Sequence, residues 1–299
     1  MGPATMRIKR VGVVGLGNMG LPMATTLAGK GFEVSGFDLS DRRRALADEQ
    51  GIQVVADLAG LLRDVDAVVS SLPYARDVEA VLTTPDALLA RRDRRVVVVD
   101  TSTADPTTSR RLAKLLGEAG HGHLDAPVSG GPSGAADGQL TMMIGGSDQD
   151  FADARPVVEA MAGKAVHVGP SGAGNVAKLI NNMLVAAHMI ATGEAFRLAE
   201  AAGVEADAVL QVVNAATGRS GVSEVHFPKW IMSNRFDSGF ATGLMRKDVG
   251  LAADLAREVG IDLPLSREVA RLWLEDRTEI ADAEDFTRMS GYRPKATDA

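Results

Sequence analysis

Arg10-Val11-Gly12-Val13-Val14-Gly15-Leu16-Gly17-Asn18-Met19-Gly20 decides the fold. Its first five residues form a short apolar run with a β-branched bias, bounded at once by glycine, which reads as a buried strand of a parallel sheet. The glycines lead into a helical pattern through Leu21, Met23, Ala24, Leu27 and Ala28 that stops at Gly29-Lys30-Gly31. Strand, glycine turn and helix in this order suit a dinucleotide. Gly15 allows the tight turn, Gly17 lets a pyrophosphate approach the backbone, and Gly20 lets the helix pack closely on the strand. The helix N-terminus supplies unpaired N–H groups. Leu16, Asn18 and Met19 complete the cofactor loop.

Outward from this loop, Glu33 to Phe37 reads as the second strand and ends in Asp38. An acid there, roughly 20 residues past the glycines, is placed to accept hydrogen bonds from the adenosine ribose and so favours NAD over NADP. Asp38 has a second reading as the start of a turn before Ser40-Asp41. Arg42, Arg43 and Arg44 read as a solvated helix face or, alternatively, as partners for a 2′-phosphate. The alternation continues with a helix from Asp57 to Arg63, a strand from Ala67 to Ser71, a helix from Arg76 to Leu82 and the valine run Val96 to Asp100. Repeated β-α units predict a doubly wound parallel sheet with ligands at the carboxyl ends of its strands. That places Leu72, Pro73 and Thr103 beside the cofactor, although Thr103 could equally cap the helix near Pro106. His123 to Ala126 and Leu140 to Ile144 read as strands around the loop Pro127 to Gly134, whose glycines and serines can hold a small carboxylate or form an ordinary turn. A helix from Phe151 to Met161 and a short strand from Ala165 to Val168 close this part.

After about Pro170 the pattern becomes helical. Asn175 to Ala202 is apolar on most sides, at Val176, Leu179, Ile180, Met183, Leu184, Ala187, Ile190 and Ala191, which predicts a buried helix. Further helices are expected over Ala206 to Ala216, Phe227 to Met232, Leu244 to Val259 and Leu265 to Leu274. The expected organisation is a dinucleotide-binding Rossmann domain over 1–169, joined by the long helix to an all-helical substrate and oligomerisation domain over 170–299. The long helix carries Lys178 and Asn182, four residues apart and so on one face. A buried ammonium and amide need something polar opposite them.

Composition narrows the chemistry. Over 299 residues the net charge is −7, which disfavours broad attraction to nucleic acid or an anionic membrane. Cysteine is absent, which removes thiolate chemistry, and the five histidines show no zinc-type spacing, so no metal is expected. The N-terminus lacks the apolar core of a signal peptide and no run is long enough to span a bilayer, so a cytoplasmic protein is expected. The tail from Tyr292 to Ala299 is expected to fray.

Four blocks now carry a resemblance: Val13 to Gly20; Asp125-Ala126-Pro127-Val128-Ser129-Gly130-Gly131 with Gly138 and Gly145-Gly146; Gly172-Ala173-Gly174-Asn175 through Lys178 to Asn182; and Lys247-Asp248. In this order and spacing the chain resembles the β-hydroxyacid dehydrogenases, the group containing 3-hydroxyisobutyrate dehydrogenase, over nearly its whole length. The resemblance implies Lys178 as catalytic acid/base with Asn182 on the substrate oxygen, and Ser129, Gly130 and Gly131 on the substrate carboxylate. It also implies Thr103 and Lys247 near the cofactor, Phe240 and Asp248 helping to close the site, and a homodimer or homotetramer. Asn181 stands where decarboxylating 6-phosphogluconate dehydrogenases have histidine, and Lys178 is usually missing from imine reductases of related fold. The expected activity is therefore hydride transfer between NAD and a small 3-hydroxy carboxylic acid. The lysine serves as acid or base if its surroundings bring its pKa toward the working pH. Two alternatives are an NADPH-dependent reductase of small aldehyde acids and a noncatalytic dinucleotide-binding scaffold. His188 reads as a core or interface histidine. Arg219, in Gly218 to Ser223, is a candidate for a second acidic group on the substrate or part of a connecting loop.

Overall fold

The computed structural model describes residues 6–83, 88–91, 93–275 and 279–291; the expected fraying of the tail and the first five residues of the N-terminal reading lie outside these. Two compact units are present, Met1–Lys178 and Leu179–Ala299.

The first unit alternates strands and helices: β1 (Arg10–Val14), α1 (Gly20–Gly29), β2 (Glu33–Phe37), α2 (Asp41–Glu49), β3 (Gln53–Val54), α3 (Leu58–Arg63), β4 (Ala67–Ser70), α4 (Ala75–Thr83), β5 (Val97–Asp100), α5 (Pro106–Glu118) and β6 (Gly122–Asp125). It continues with β7 (Val128–Ser129), α6 (Gly131–Ala136), β8 (Leu140–Gly145), α7 (Asp148–Met161) and β9 (Ala162–Gly169). The sheet order is β3-β2-β1-β4-β5-β6-β8-β7, with β9 paired to β8. From β3 to β6 every pairing is parallel, and β8 runs antiparallel to β6 and β7. The order reverses direction at β1, and a sheet of this kind offers its ligand crevice at the carboxyl ends beside that switch.

The valine strands alternate between two apolar layers. Val97 and Val99 join Val11, Val13, Leu16, Met23 and Leu27 on one face, whereas Val96 and Val98 join Leu61, Leu82, Leu112 and Leu116 on the other. Burial on both faces explains why these strands lack a polar side. Local chemistry sets the helix starts. Ser40, Asp57 and Ser147 each accept a backbone N–H from the following turn. Asp105, not Thr103, caps α5, accepting from Thr108 N at 2.7 Å, with Pro106 at the first helical position.

The second unit contains most of α8 (Ala173–Ala201), then α9 (Ala206–Ala215), a π-helical stretch Val222–Ile231, α10 (Thr242–Glu258), α11 (Pro264–Leu274) and a 3-10 turn Phe286–Gly291. Its core gathers Met189, Phe196, Phe227, Met245, Trp273 and Met289, and the Trp273 indole donates to Ala186 O at 3.3 Å. Three expectations need correction. Helix α8 is not buried all round, because Ile180 and Leu184 are 48% and 49% exposed while Leu179, Met189 and Ile190 are buried. The loop expected over Pro127 to Gly134 instead contains β7 and the start of α6, and the expected Phe227 helix begins at Val222 with π geometry. His188 lies on α8, and Arg219 is exposed ahead of the π-helical stretch.

Candidate active site

In the first unit the site begins where β1 turns into α1. Gly15 has φ +90°, and a Cβ on it would meet Ser71 O at 2.3 Å, so only glycine lets this turn pass the end of β4. A Cβ on Gly20 would lie 1.7 Å from Gly15 O, whereas one on Gly17 would meet nothing within 4 Å. The tight contacts fold the loop, and the open face at Gly17 leaves room for a ligand. Met19, which precedes α1, provides no side-chain cap, while Leu21 N donates to Gly17 O at 3.2 Å and Pro22 brings no N–H to the first turn. These features fit a dinucleotide pyrophosphate.

The individual residues take different parts. The Leu16 side chain is buried against Gly36, and its N–H donates to Asp38 Oδ2 at 2.8 Å. Asp38 Oδ1 accepts from Ser40 N at 2.8 Å. Asp38 therefore both shapes the loop and stands beside it. Asn18 is exposed, and its Oδ1 accepts from Arg43 Nη2 at 3.1 Å, which brings an arginine to the rim of the glycine loop.

The ends of β4 and β5 form the next wall. Leu72 N donates to Ser102 Oγ at 2.9 Å, and Pro73 is exposed after it. Asp100, 1% exposed, accepts from Ser70 Oγ at 2.8 Å and from Ser102 N at 3.1 Å. Burial pushes its carboxyl up to about 6, partly offset by the hydrogen bonds from Ser102 and Ser70. Thr103 follows, half-buried. Across the sheet, Asp125 is the cross-strand partner of Asp100. Its carboxylate accepts Gly172 N at 2.7 Å and Asn175 N at 2.9 Å; burial raises its pKa while those backbone donors act against the rise.

Ser129 ends β7, paired with Thr141 of β8, and Gly130 and Gly131 follow with φ +126° and +65°. Two successive positive-φ residues turn the chain into α6, and a Cβ on Gly131 would meet nothing within 4 Å. This open, amide-rich corner suits a carboxylate.

Lys178 lies on α8 and is 9% exposed, one helical turn before Asn182. In the second unit the structure brings Asn182, Lys247 and Asp248 together. Asn182 Nδ2 donates to Asp248 Oδ2 at 2.6 Å, and Asp248 Oδ1 is 3.2 Å from Lys247 Nζ. Phe240 packs edge-on against Phe286, with ring centroids 5.4 Å apart, just ahead of α10. Asp100 and Asp125 were absent from the residues assigned from sequence. Asp100 closes the predicted apolar run Val96 to Asp100, which was the available signal, whereas Asp125 lies inside the predicted strand His123 to Ala126 and shows none.

Comparisons with known proteins show the family. Residues 10–169 match the family model of the NAD binding domain of 6-phosphogluconate dehydrogenase. Residues 172–292 match that of the NAD-binding domain of NADP-dependent 3-hydroxyisobutyrate dehydrogenase. The chain belongs to the β-hydroxyacid dehydrogenase family. Among its relatives, the 2-(hydroxymethyl)glutarate dehydrogenase of Eubacterium barkeri is 34% identical over 93% of this chain and 92% of that protein. The NAD-dependent L-serine dehydrogenase of Pseudomonas aeruginosa is 37% identical over 86% and 89%. The Mycobacterium tuberculosis 3-hydroxyisobutyrate dehydrogenase solved with L-serine superposes with TM-score 0.87 at 37% identity, covering 95% of this chain and 99% of that one. As a β-hydroxyacid dehydrogenase, the chain is an NAD-dependent oxidoreductase of small hydroxy acids, with NADP as a possible cofactor.

Proposed function

We propose that the chain interconverts a small 3-hydroxy carboxylate and its semialdehyde or keto form, with Lys178 as general acid/base. The observation that carries this reading is the near-complete burial of Lys178 one turn before Asn182, whose amide is fixed by Asp248. When bound, oxidised NAD supplies the acceptor for the hydride that leaves the alcohol carbon. Lys178 takes the hydroxyl proton on Nζ as that hydride leaves and returns a proton to oxygen in the reverse direction. Asn182 positions the substrate oxygen and offers an uncharged hydrogen bond to its developing charge. Ser129 and the backbone of Gly130 and Gly131 hold the substrate carboxylate, and Phe240 and Asp248 help to enclose it. Gly15 to Gly20, Asp38, Leu72, Pro73, Thr103 and Lys247 hold the nucleotide.

The substrate class follows from chemistry shared by the relatives. 3-Hydroxyisobutyrate, L-serine and 2-(hydroxymethyl)glutarate, named in those relatives, all contain HOCH2–CHR–COO− and differ in R. A lysine for the alcohol and an amide corner for the carboxylate read the common part. Initial rates with these three acids and both cofactors test the proposal, together with Lys178→Ala. Loss of turnover by a factor on the order of 10² or more, with nucleotide binding retained, is expected. Retention of most of the turnover number overturns the lysine's role.

We further infer that the helical part from residue 170 onward supplies substrate and oligomer contacts. The half-exposed Ile180 and Leu184, four residues apart on α8, support a homodimer or homotetramer. A monomeric mass by light scattering would contradict this. No helix among the described residues is long and apolar enough to cross a membrane. We assign the enzyme to the cytoplasm, and cell fractionation tests that assignment.

A further inference from the structure

We propose that Asp100 and Asp125 are paired positioning residues: Asp100 holds the Leu72–Ser102 corner beside the glycine loop, and Asp125 holds the first turn of the helix that carries Lys178. The inference rests on the dehydrogenase reading and adds two residues outside the substrate and cofactor contacts assigned above.

The two side chains sit next to each other in register at the carboxyl ends of β5 and β6, 1% and 0% exposed. A buried carboxylate is costly, and a well-packed apolar group often serves stability better. What each carboxylate does is specific. Asp100 ties Ser70 of β4 to Ser102, and Ser102 Oγ in turn accepts Leu72 N. Leu72 lies against Gly15, since a Cβ on that glycine would come within 2.9 Å of Leu72 Cδ2. The ionised carboxylate thus fixes the strand end that faces the nucleotide loop.

Asp125 acts on the other partner of the reaction. Its two oxygens receive the N–H groups of Gly172 and Asn175. The approach is so close that a Cβ on Gly174 would lie 2.3 Å from Asp125 O, and one on Gly145 would lie 2.6 Å from Asp125 Oδ1. Gly174 and Gly145 are therefore explained by the close approach of α8 and β8 to Asp125, whereas a Cβ on Gly172 would meet Pro106 O at 3.0 Å and one on Gly146 would meet Leu124 Cδ2 at 2.4 Å. Asn175 completes the seat, accepting Ala104 N at 3.0 Å and donating to Ser109 Oγ at 2.9 Å. Ala104 follows Thr103 directly, so both carboxylates act on the segment from Ser102 to Ala104.

The pair responds to protons in a defined direction. Around Asp100 stand the uncharged Ser70 and Ser102 and, across the strands, the like-charged Asp125, whose field raises the Asp100 pKa beyond the effect of burial. Asp125 is surrounded by the backbone donors of Gly172, Gly174 and Asn175. Protonation of Asp100, at about 6, removes the charge on the group that accepts from Ser70 and Ser102 and so weakens both hydrogen bonds. Nucleotide affinity is accordingly highest above that pH.

The test is to measure NAD affinity by calorimetry from pH 5.5 to 8, with steady-state kinetics and circular dichroism, on the full-length protein and its variants. Asp100→Ala is expected to raise the nucleotide Kd about tenfold. Asp100→Asn, which keeps the shape, is expected to flatten the loss of affinity that the wild type shows below about pH 6. Asp125→Asn is expected to lower kcat about tenfold or more with nucleotide Kd within about twofold. Ser109→Ala tests the same seat more gently and is expected to lower kcat alone. If kcat and Kd move together in step with the folded fraction, or Ser109→Ala and Asp100→Asn behave as wild type at every pH, the pairing is wrong. Absence of nucleotide binding by the wild-type protein would instead overturn the dehydrogenase reading, and the pairing with it.

Discussion

Asn182 and Asp248 are joined by a 2.6 Å hydrogen bond from the amide to the carboxylate, both side chains being almost completely buried. The Asn182 oxygen accepts from Asn181 Nδ2 at 3.0 Å, so the amide has a fixed orientation. Asp248→Ala leaves a buried amide donor without its acceptor and Lys247 without its neighbouring charge. The expected result is a stability loss of about 1–3 kcal/mol and a fall in kcat larger than the loss of folded protein accounts for. Asp248→Asn, which retains an acceptor oxygen, should lose less of both. Thermal unfolding beside steady-state kinetics checks this, and equal behaviour of the two variants would argue against orientation by Asp248.

The glycine loop separates folding from binding at single positions. A Cβ at residue 20 collides with Gly15 O, while one at residue 17 enters open space. Gly20→Ala should therefore destabilise the protein, whereas Gly17→Val should unfold at the wild-type temperature yet lose nucleotide affinity by on the order of tenfold or more. A normal affinity in folded Gly17→Val would show that the pyrophosphate lies elsewhere.

These contrasts mark what the sequence makes legible. Val97 to Asp100 is readable because a strand buried on both faces leaves a continuous apolar run, and Gly15 to Gly20 because a phosphate turn restricts residue type. The two-residue β3 was missed, since Gln53-Val54 is too short to show a period. Thr103 and Asp105 are both competent caps, and only the backbone path decides that Asp105 bonds Thr108 N. Apolar content alone could not show that Ile180 and Leu184 face outward on α8. Asp125 was hidden for a different reason. Its partners are backbone N–H groups 47 and 50 residues away, which leave no side-chain pattern in the sequence.

Two groups flanking the start of α2 are expected to set cofactor choice. The Asp38 oxygens accept Leu16 N and Ser40 N, while Arg43 reaches Asn18 on the loop rim. A carboxylate suits free ribose hydroxyls and an arginine suits a 2′-phosphate. Arg43→Ala is expected to leave kcat/KM for NAD within about twofold and to lower that for NADP about tenfold. Asp38→Ser should move the ratio toward NADP. Parallel assays with the two cofactors give the answer, and an unchanged ratio in both variants would remove these residues from the choice.

His123 gives a stability prediction that Asp100 opposes. It is 1% exposed, neither ring nitrogen has a hydrogen-bond partner, and burial pushes its pKa down from 6.5 to about 4. The folded protein therefore keeps it neutral while the unfolded chain takes up a proton below 6.5, so its contribution is lost as pH falls from 6.5 toward 4. Asp100 works the other way. Its folded pKa is raised from 3.8 to about 6, so the folded state takes up a proton first and gains stability over the unfolded chain as pH falls through 6. Each effect is roughly 3 kcal/mol at full extent, and over the shared window they largely cancel. His123→Phe keeps a flat ring and removes the unpartnered nitrogens. It should raise stability at pH 7.5 by about 1 kcal/mol or more, and leave the Asp100 contribution unopposed. Relative to the wild type, the unfolding temperature of the variant is then expected to gain between pH 6 and 4.5. No gain over the wild type in that window would mean that His123 is not a group that opposes Asp100.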